Sequence, residues 1–411
     1  MNDENTESSD MATDIDPEEI LKSVELNVDL EDEKTKDVKV KPEKKKESKK
    51  IVASGKEEAD ALYEEFSSFL EDKIDMKADT GIKKVIPTGI DLLDAILGGG
   101  LAIGALDIIV GQPGSGKSML AIQALAQAQK IYKDEPNFIG HFLDSEEATT
   151  TIRLANLGVR RPQIKPYSDI TIEKVFKFLE GLCLFKEKKK IIDIPSVVIW
   201  DSIANTLSEK EREAEDVNQV IGYKARMLSI LIPKYVARCA QYNIAFIAVN
   251  QLRDVLSIGQ FSAPKDLKFM SATKDMPGGT VLKYNGFHLI EMKVKSAIGS
   301  DKYGFDGVID KVKCVKNKLF PPNIEIEIVG SFMTGFSNFW TNYNFLSNTK
   351  RLNTGAWNYL VSIPDKKFRT KDAEDLYLAD EAFKEKYDEA VKEAIQSEII
   401  DKYSPVITKS F

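Results

Sequence analysis

The chain has 411 residues, 43% of them hydrophobic, and a formal net charge of −8. That length holds one large domain with accessories, or two domains, and the apolar content supports a sizeable buried core. The apolar runs around Ile108 and Ala245 fall far short of the roughly 20 residues of a membrane span, and the polar, acidic N-terminus carries no apolar signal core, so no membrane partner and a cytoplasmic location are expected.

Charge is unevenly distributed. Residues 1–40 hold fourteen acids and four lysines, and residues 41–50 hold six lysines and two glutamates. Residues 1–55 lack a periodic apolar pattern and read as a disordered charged tail. The remainder is close to neutral, which permits a local basic surface. Residues 56–85 read as an N-terminal helix and oligomerisation segment. Within Glu57 to Ile74, Leu62, Phe66 and Phe69 recur at helical spacing, and that stripe needs burial on its own domain or on a neighbouring subunit.

From Ile86 onward strands alternate with helices. Leu106 to Val110 is an apolar strand, followed by a Gly-rich loop and a helical pattern from Lys117 to Lys130. Further strands are expected at Phe138 to Leu143, Val197 to Trp200 and Ile244 to Val249, with helical stretches such as Ala225 to Cys239 between them. This order predicts an α/β fold with a mostly parallel central sheet and crossover helices. Val281 to Val329, rich in β-branched residues, adds antiparallel strands. Residues 86–335 form the expected core, and residues 336–411 a small C-terminal α+β domain with a charged helix near Glu381 to Ile400. The cysteines Cys183, Cys239 and Cys314 form no CxxC pair, and the histidines are His141 and His288 only, which argues against a zinc site.

Residues 111–118 read Gly111-Gln112-Pro113-Gly114-Ser115-Gly116-Lys117-Ser118, a full GxxxxGK[ST] phosphate loop between a strand and a helix. Its glycines let backbone N–H groups converge on phosphate oxygens, and the following helix presents its positive end to the same anion. Lys117 supplies a point charge to the β- and γ-phosphates, and the Ser118 hydroxyl can hold Mg²⁺. Met119 follows as the last residue of the expected nucleotide-contacting run. Asp201 closes the apolar run Val197-Val198-Ile199-Trp200 at a strand tip, where a carboxylate can act as a second Mg²⁺ partner. Asp144, Glu146 and Glu147 follow another strand, and spacing alone does not choose which of them orients an attacking water. The expected cofactors are ATP and Mg²⁺.

These residues resemble the RecA recombinase family, over about Ile86 to Gly330. The segment Ile86-Pro87-Thr88-Gly89-Ile90-Asp91-Leu92-Leu93-Asp94, then Gly98-Gly99-Gly100-Leu101, is similar to the family's approach to the phosphate loop. Clock-type and helicase-type relatives share that approach. Asp144-Ser145-Glu146 is similar to the family's strand-end acid, which implies that Glu146 activates water. Leu157-Gly158-Val159 sets a register in which Arg153 stacks on adenine. Ala248-Val249-Asn250-Gln251 implies a γ-phosphate sensor at Gln251. Val315-Lys316-Asn317-Lys318 implies that Lys316 and Lys318 reach a neighbouring subunit's ATP, unlike the signature of the RadA type. Phe368-Arg369-Thr370-Lys371-Asp372, then Phe383, is similar to the C-terminal part of phage UvsX-type recombinases.

The resemblance also implies two DNA-binding loops. The first spans Leu207 to Gly222, where Lys210 and Arg212 stand among many acids. The second spans Leu252 to Pro277 and carries Arg253, Phe261, Lys265, Lys268, Phe269 and Lys274. Lysines there would neutralise phosphates, and apolar residues would wedge between bases. The expected activity is ATP-dependent homologous pairing and strand exchange in filaments on single-stranded DNA, with double-stranded DNA as second substrate. Single-strand-binding and loader proteins are the implied helpers. The alternatives are a ring helicase or branch-migration motor of the same superfamily, or a non-hydrolysing paralogue.

Overall fold

The computed structural model describes residues 84–147, 149–160, 169–216, 220, 222–254 and 274–403. The tail of residues 1–55 and the helix expected at Glu57 to Ile74 lie outside the described residues.

The chain enters through β1 (Val85–Ile86), α1 (Asp91–Leu97) and β2 (Leu101–Ala102), with β1 and β2 paired antiparallel. Next come β3 (Leu106–Gly111), α2 (Lys117–Ile131), β4 (Ile139–Asp144), α3 (Thr151–Asn156) and α4 (Ile172–Lys189). They are followed by β5 (Ser196–Asp201), α5 (Glu209–Glu213), α6 (Tyr223–Gln241) and β6 (Ile244–Gln251). The short strands β7 (Arg253–Asp254) and β8 (Lys274–Asp275) pair antiparallel before α7 (Thr280–Asn285) and β9 (His288–Ile298). After α8 (Ser300–Tyr303), β10 (Gly307–Lys316), β11 (Glu325–Ser331) and β12 (Gly335–Ser337) complete the main sheet. The rest comprises α9 (Asn338–Asn348), the hairpin β13 (Leu352–Asn353) and β14 (Tyr359–Leu360), α10 (Ala373–Ala379) and α11 (Glu381–Ile395).

The sheet has eight strands in the order β12-β11-β10-β9-β3-β6-β5-β4. Pairing is parallel from β4 through β5, β6 and β3 to β9, and antiparallel from β9 to β12. The sequence expectation of an α/β chain with a mostly parallel central sheet and a later antiparallel extension agrees with this topology.

Period-two burial explains the two faces. Ile109, Val197, Ile199, Ile247 and Val249 join one apolar core with Leu120, Ala121 and Leu125 of α2. Ile108, Val110, Val198, Trp200 and Phe246 join another with Phe176 of α4 and Leu231 and Tyr235 of α6. Strands covered on both faces read as continuous apolar runs, as Ile108 to Val110 of β3 and Val197 to Trp200 of β5 do. A third, aromatic core joins Trp340, Tyr343, Phe383 and Tyr387 to Ile309 and Val329 of the sheet. The C-terminal residues are therefore built onto the antiparallel end of the sheet.

Two polar ties lock this frame. The His288 ring lies 2.9 Å from Asp107 at Nδ1 and 3.1 Å from the Leu97 carbonyl at Nε2, so it fastens α1 to the start of β3. Gln123 of α2 donates to the Phe336 carbonyl at 2.9 Å and accepts from the Phe336 N–H at 2.7 Å, so it fastens that helix to β12. No helix among the described residues is long and apolar enough to cross a membrane.

Candidate functional site

The site gathers at the C-terminal ends of the parallel strands. The phosphate loop leaves β3 and closes on one carbonyl. Ser115 Oγ and Lys117 Nζ both donate to the Gln112 carbonyl at 2.8 Å. Two positions demand glycine. A β-carbon on Gly111 would stand 2.4 Å from the Met292 carbonyl oxygen. Gly116 has φ +68°, and a β-carbon there would stand 2.6 Å from Phe336 Cζ. Gln112, Pro113 and Gly114 are exposed, whereas Ser115, Lys117 and Met119 are buried, so the loop offers its outer backbone and keeps its lysine beneath.

Three carboxylates act on that lysine. Burial pushes the Lys117 ammonium below its ordinary range, and Asp201, Glu146 and Asp310 oppose the shift. Asp201 ends β5 and is pushed up to about 6 by burial, against a hydrogen bond from Ser118. The Ser118–Asp201 contact places a hydroxyl and a carboxylate together beside the loop, a donor set suited to Mg²⁺.

The acids after β4 take separate roles. Asp144 accepts from the N–H groups of Glu146 at 3.0 Å and Thr149 at 2.9 Å, which shapes the turn. Glu147 accepts from the Asp169 N–H at 3.2 Å. Glu146 remains exposed, and one of its oxygens accepts from Ser202 Oγ at 3.2 Å and from Asn205 Nδ2. Its carboxylate is thus oriented from the turn after β5.

Gln251 is the last residue of β6 and stands opposite Gly111 in the parallel register. The following Leu252 N–H donates to the Gly111 carbonyl at 3.1 Å. Asn250 is fully buried, and its Nδ2 donates to the Pro277 carbonyl at 2.7 Å. Two residues at the end of β6 therefore touch the phosphate loop on one side and the returning end of the 252–277 segment on the other. Arg253 and Lys274 stand in β7 and β8, which bring the two ends of that segment together. Phe261, Lys265, Lys268 and Phe269 lie outside the described residues.

Other expected residues lie farther off. Arg153 sits in α3, where Thr150 caps the helix, and its Nη1 donates to the Phe332 carbonyl in the β11–β12 turn. Lys316 pairs with Leu289, which pairs with Ile108 near the start of β3, whereas the phosphate loop leaves the other end of that strand. Lys316 Nζ donates to the carbonyls of Lys283 at 2.8 Å and Tyr284 at 2.5 Å. Lys318 Nζ lies 5.7 Å from the centre of the Phe287 ring. These two lysines do not meet the phosphate loop of their own chain. In the first expected DNA loop, Ser208 forms a capping box with Glu211 and starts α5. There Arg212 is paired with Asp169, and Lys210 lies 5.2 Å from the centre of the Tyr223 ring.

Sequence reasoning missed Ser202, Asn205 and Asp310. Ser202 and Asn205 follow Asp201 closely but belong to no motif. Asp310 carries a weak signal, an acid at an inward position of the alternating run Val308-Ile309-Asp310-Lys311-Val312.

The model of the RecA N-terminal domain matches residues 70–337. Protein RecA of Thermus aquaticus is 31% identical over 247 residues, 59% of this chain and 66% of that protein. Protein RecA of Caldanaerobacter subterraneus is 30% identical over 257 residues, 62% of this chain and 68% of that protein. Protein RecA of Xanthomonas campestris is 31% identical over 242 residues, 58% of this chain and 64% of that protein. The match thus spans about two thirds of each relative's length. With the family's domain matched across well over half of its residues, and the phosphate loop standing at the centre of the matched sheet, the chain belongs to the RecA family.

Proposed function

We propose that the protein is an ATP-dependent DNA recombinase that forms filaments on single-stranded DNA and carries out homologous pairing and strand exchange. The observation that carries this reading is the gathering of Lys117, Glu146 and Asp201 at the C-terminal ends of the parallel strands, with Gln251 paired opposite Gly111 and its neighbour Asn250 bonded to Pro277 at the end of the 252–277 segment. Family membership supports DNA and ATP as ligands, and the C-terminal residues resemble those of the phage UvsX type.

In this mechanism the phosphate loop wraps the triphosphate with its N–H groups, and Lys117 moves from the Gln112 carbonyl to the β- and γ-phosphates. Mg²⁺ held by Ser118 and Asp201 would offset charge on the phosphate oxygens. Glu146, steadied by Ser202 and Asn205, orients the attacking water and takes its proton. Arg153 lies flat on the adenine. Gln251 bonds the γ-phosphate, and its state passes to the 252–277 segment, where Arg253, Lys265, Lys268 and Lys274 hold DNA phosphates and Phe261 and Phe269 separate bases.

Lys316 and Lys318 act on the ATP of the next subunit, because their own loop lies at the other end of β3. Nucleotide then joins subunits as well as energising them. The deciding experiment measures ATP hydrolysis with and without single-stranded DNA and images the assemblies. Stimulation by DNA with open helical filaments is expected. Absence of stimulation, or closed hexamers alone, overturns the reading in favour of a ring motor or a non-hydrolysing relative.

A further inference from the structure

Asp310 lies in β10, directly behind the phosphate loop. It is fully buried, and neither of its carboxylate oxygens has a hydrogen-bond partner. Its Oδ2 comes within 3.3 Å of the place a β-carbon on Gly116 would occupy, so the carboxylate lies against the loop backbone. Its backbone neighbours in the sheet are Ile328 of β11 and Val294 of β9, and Phe336 of β12 flanks it at Gly116. None of these carries a charge. Lys117, on α2, is the charged group that acts on it.

A buried carboxylate with no donor is costly, and a protein retains one only where something offsets it. Here the offset is Lys117, the same ammonium that the nucleotide's phosphates require. The two demands compete for one cation in a site of low dielectric.

We propose that Asp310 is a positioning residue that acts through Lys117, attracting it before nucleotide binds and setting nucleotide affinity by competing with the phosphates for its charge. The proposal rests on the nucleotide-binding reading above. When phosphates draw Lys117 away, Asp310 is left as an anion beside further negative charge, so its proton affinity rises and binding takes up a proton. Burial already pushes this carboxyl up to about 6. The sign follows: ionised Asp310 opposes binding at pH 8, and the opposition disappears as pH falls through the carboxyl's range.

The test is titration of a fluorescent ADP analogue into full-length wild type and Asp310→Asn between pH 8 and 5.5. Asparagine keeps the shape and removes the charge. At pH 8 the variant should bind about tenfold more tightly, equivalent to one pKa unit, and the two proteins should converge at pH 5.5. Asp310→Ser serves as a second charge-free variant should Asp310→Asn fail to fold, and thermal melting reports folding for both. Equal affinities at pH 8, or a ratio that does not change with pH, overturns the proposal while wild-type binding leaves the nucleotide reading intact. Absence of nucleotide binding by folded wild type overturns both.

Discussion

Gln251 stands opposite Gly111 in the parallel pairing of β6 with β3, and the residue after it donates to the Gly111 carbonyl at 3.1 Å. The end of β6 is therefore held by the residue that opens the phosphate loop. Gln251→Ala removes the side-chain amide and keeps this backbone link. Nucleotide affinity should change by no more than a few-fold, while stimulation of hydrolysis by single-stranded DNA is lost. Parallel measurement of analogue binding and DNA-dependent phosphate release checks this, and retained stimulation counts against a sensor role.

Glu146→Gln preserves the bonds from Ser202 and Asn205 but removes the proposed base. Hydrolysis should fall by about 10²–10⁴-fold, the usual range for a positioned proton acceptor, with nucleotide binding retained. A single-turnover assay separates the two steps. A variant that hydrolyses ATP at the wild-type rate would return the choice of base to Asp144 and Glu147.

Paired reversal of Lys316 and Lys318 to glutamate should abolish ATP-dependent assembly and leave analogue binding by the isolated protomer unchanged. Light scattering with ATP and DNA, beside a binding titration, gives both readings. Assembly that persists would show that the lysines serve only their own chain.

Gly116→Ala meets two obstacles at once, a left-handed backbone and the Phe336 ring at 2.6 Å. The conformational part alone costs roughly 1–2 kcal/mol, and the clash adds to it. Combining Gly116→Ala with Phe336→Leu should recover the steric share only. Thermal melts of the single and double variants test whether the losses separate in this way.

Lys186 gives a pH signature remote from the site. It is fully buried, donates to the Ile194 carbonyl and to Ser196, and burial pushes it down to about 8. The folded protein therefore binds fewer protons here than the unfolded chain between pH 8 and the ordinary lysine range. Wild type should gain stability relative to Lys186→Met as pH rises through that window, by up to about 3 kcal/mol. Chemical denaturation of both proteins at pH 7.5 and 10 reads the difference, and parallel pH profiles would contradict it.

Much of this architecture is visible in the sequence because its causes are local. An apolar run, a glycine-rich turn and a helical period define β3 and α2, and the eight motif residues run from the last residue of that strand into the first turn of that helix. The ends of β5 and β6 are similarly marked by Asp201 and Gln251. The supporting residues are not local. Asp310 is near Lys117 only because β10 returns antiparallel beside β9, a register that no short motif encodes. Ser202 and Asn205 serve Glu146 across 56 and 59 positions of chain. Within the stretch Leu207 to Gly222, expected to be a loop, Ser208 and Glu211 satisfy the capping-box pattern and start a helix.

The grip of Gln123 on both backbone polar groups of Phe336 bears on how the protein can be dissected. The helix that starts at the phosphate loop is stitched to the outermost strand, and the aromatic cluster of residues 339–394 lies over Ile309 and Val329 of the same sheet. Cutting the chain after the main sheet would strip that covering and leave a sticky, greasy edge. A workable minimal fragment must therefore run through α11, and any shortened version that ends near residue 335 is expected to precipitate rather than report on the nucleotide site.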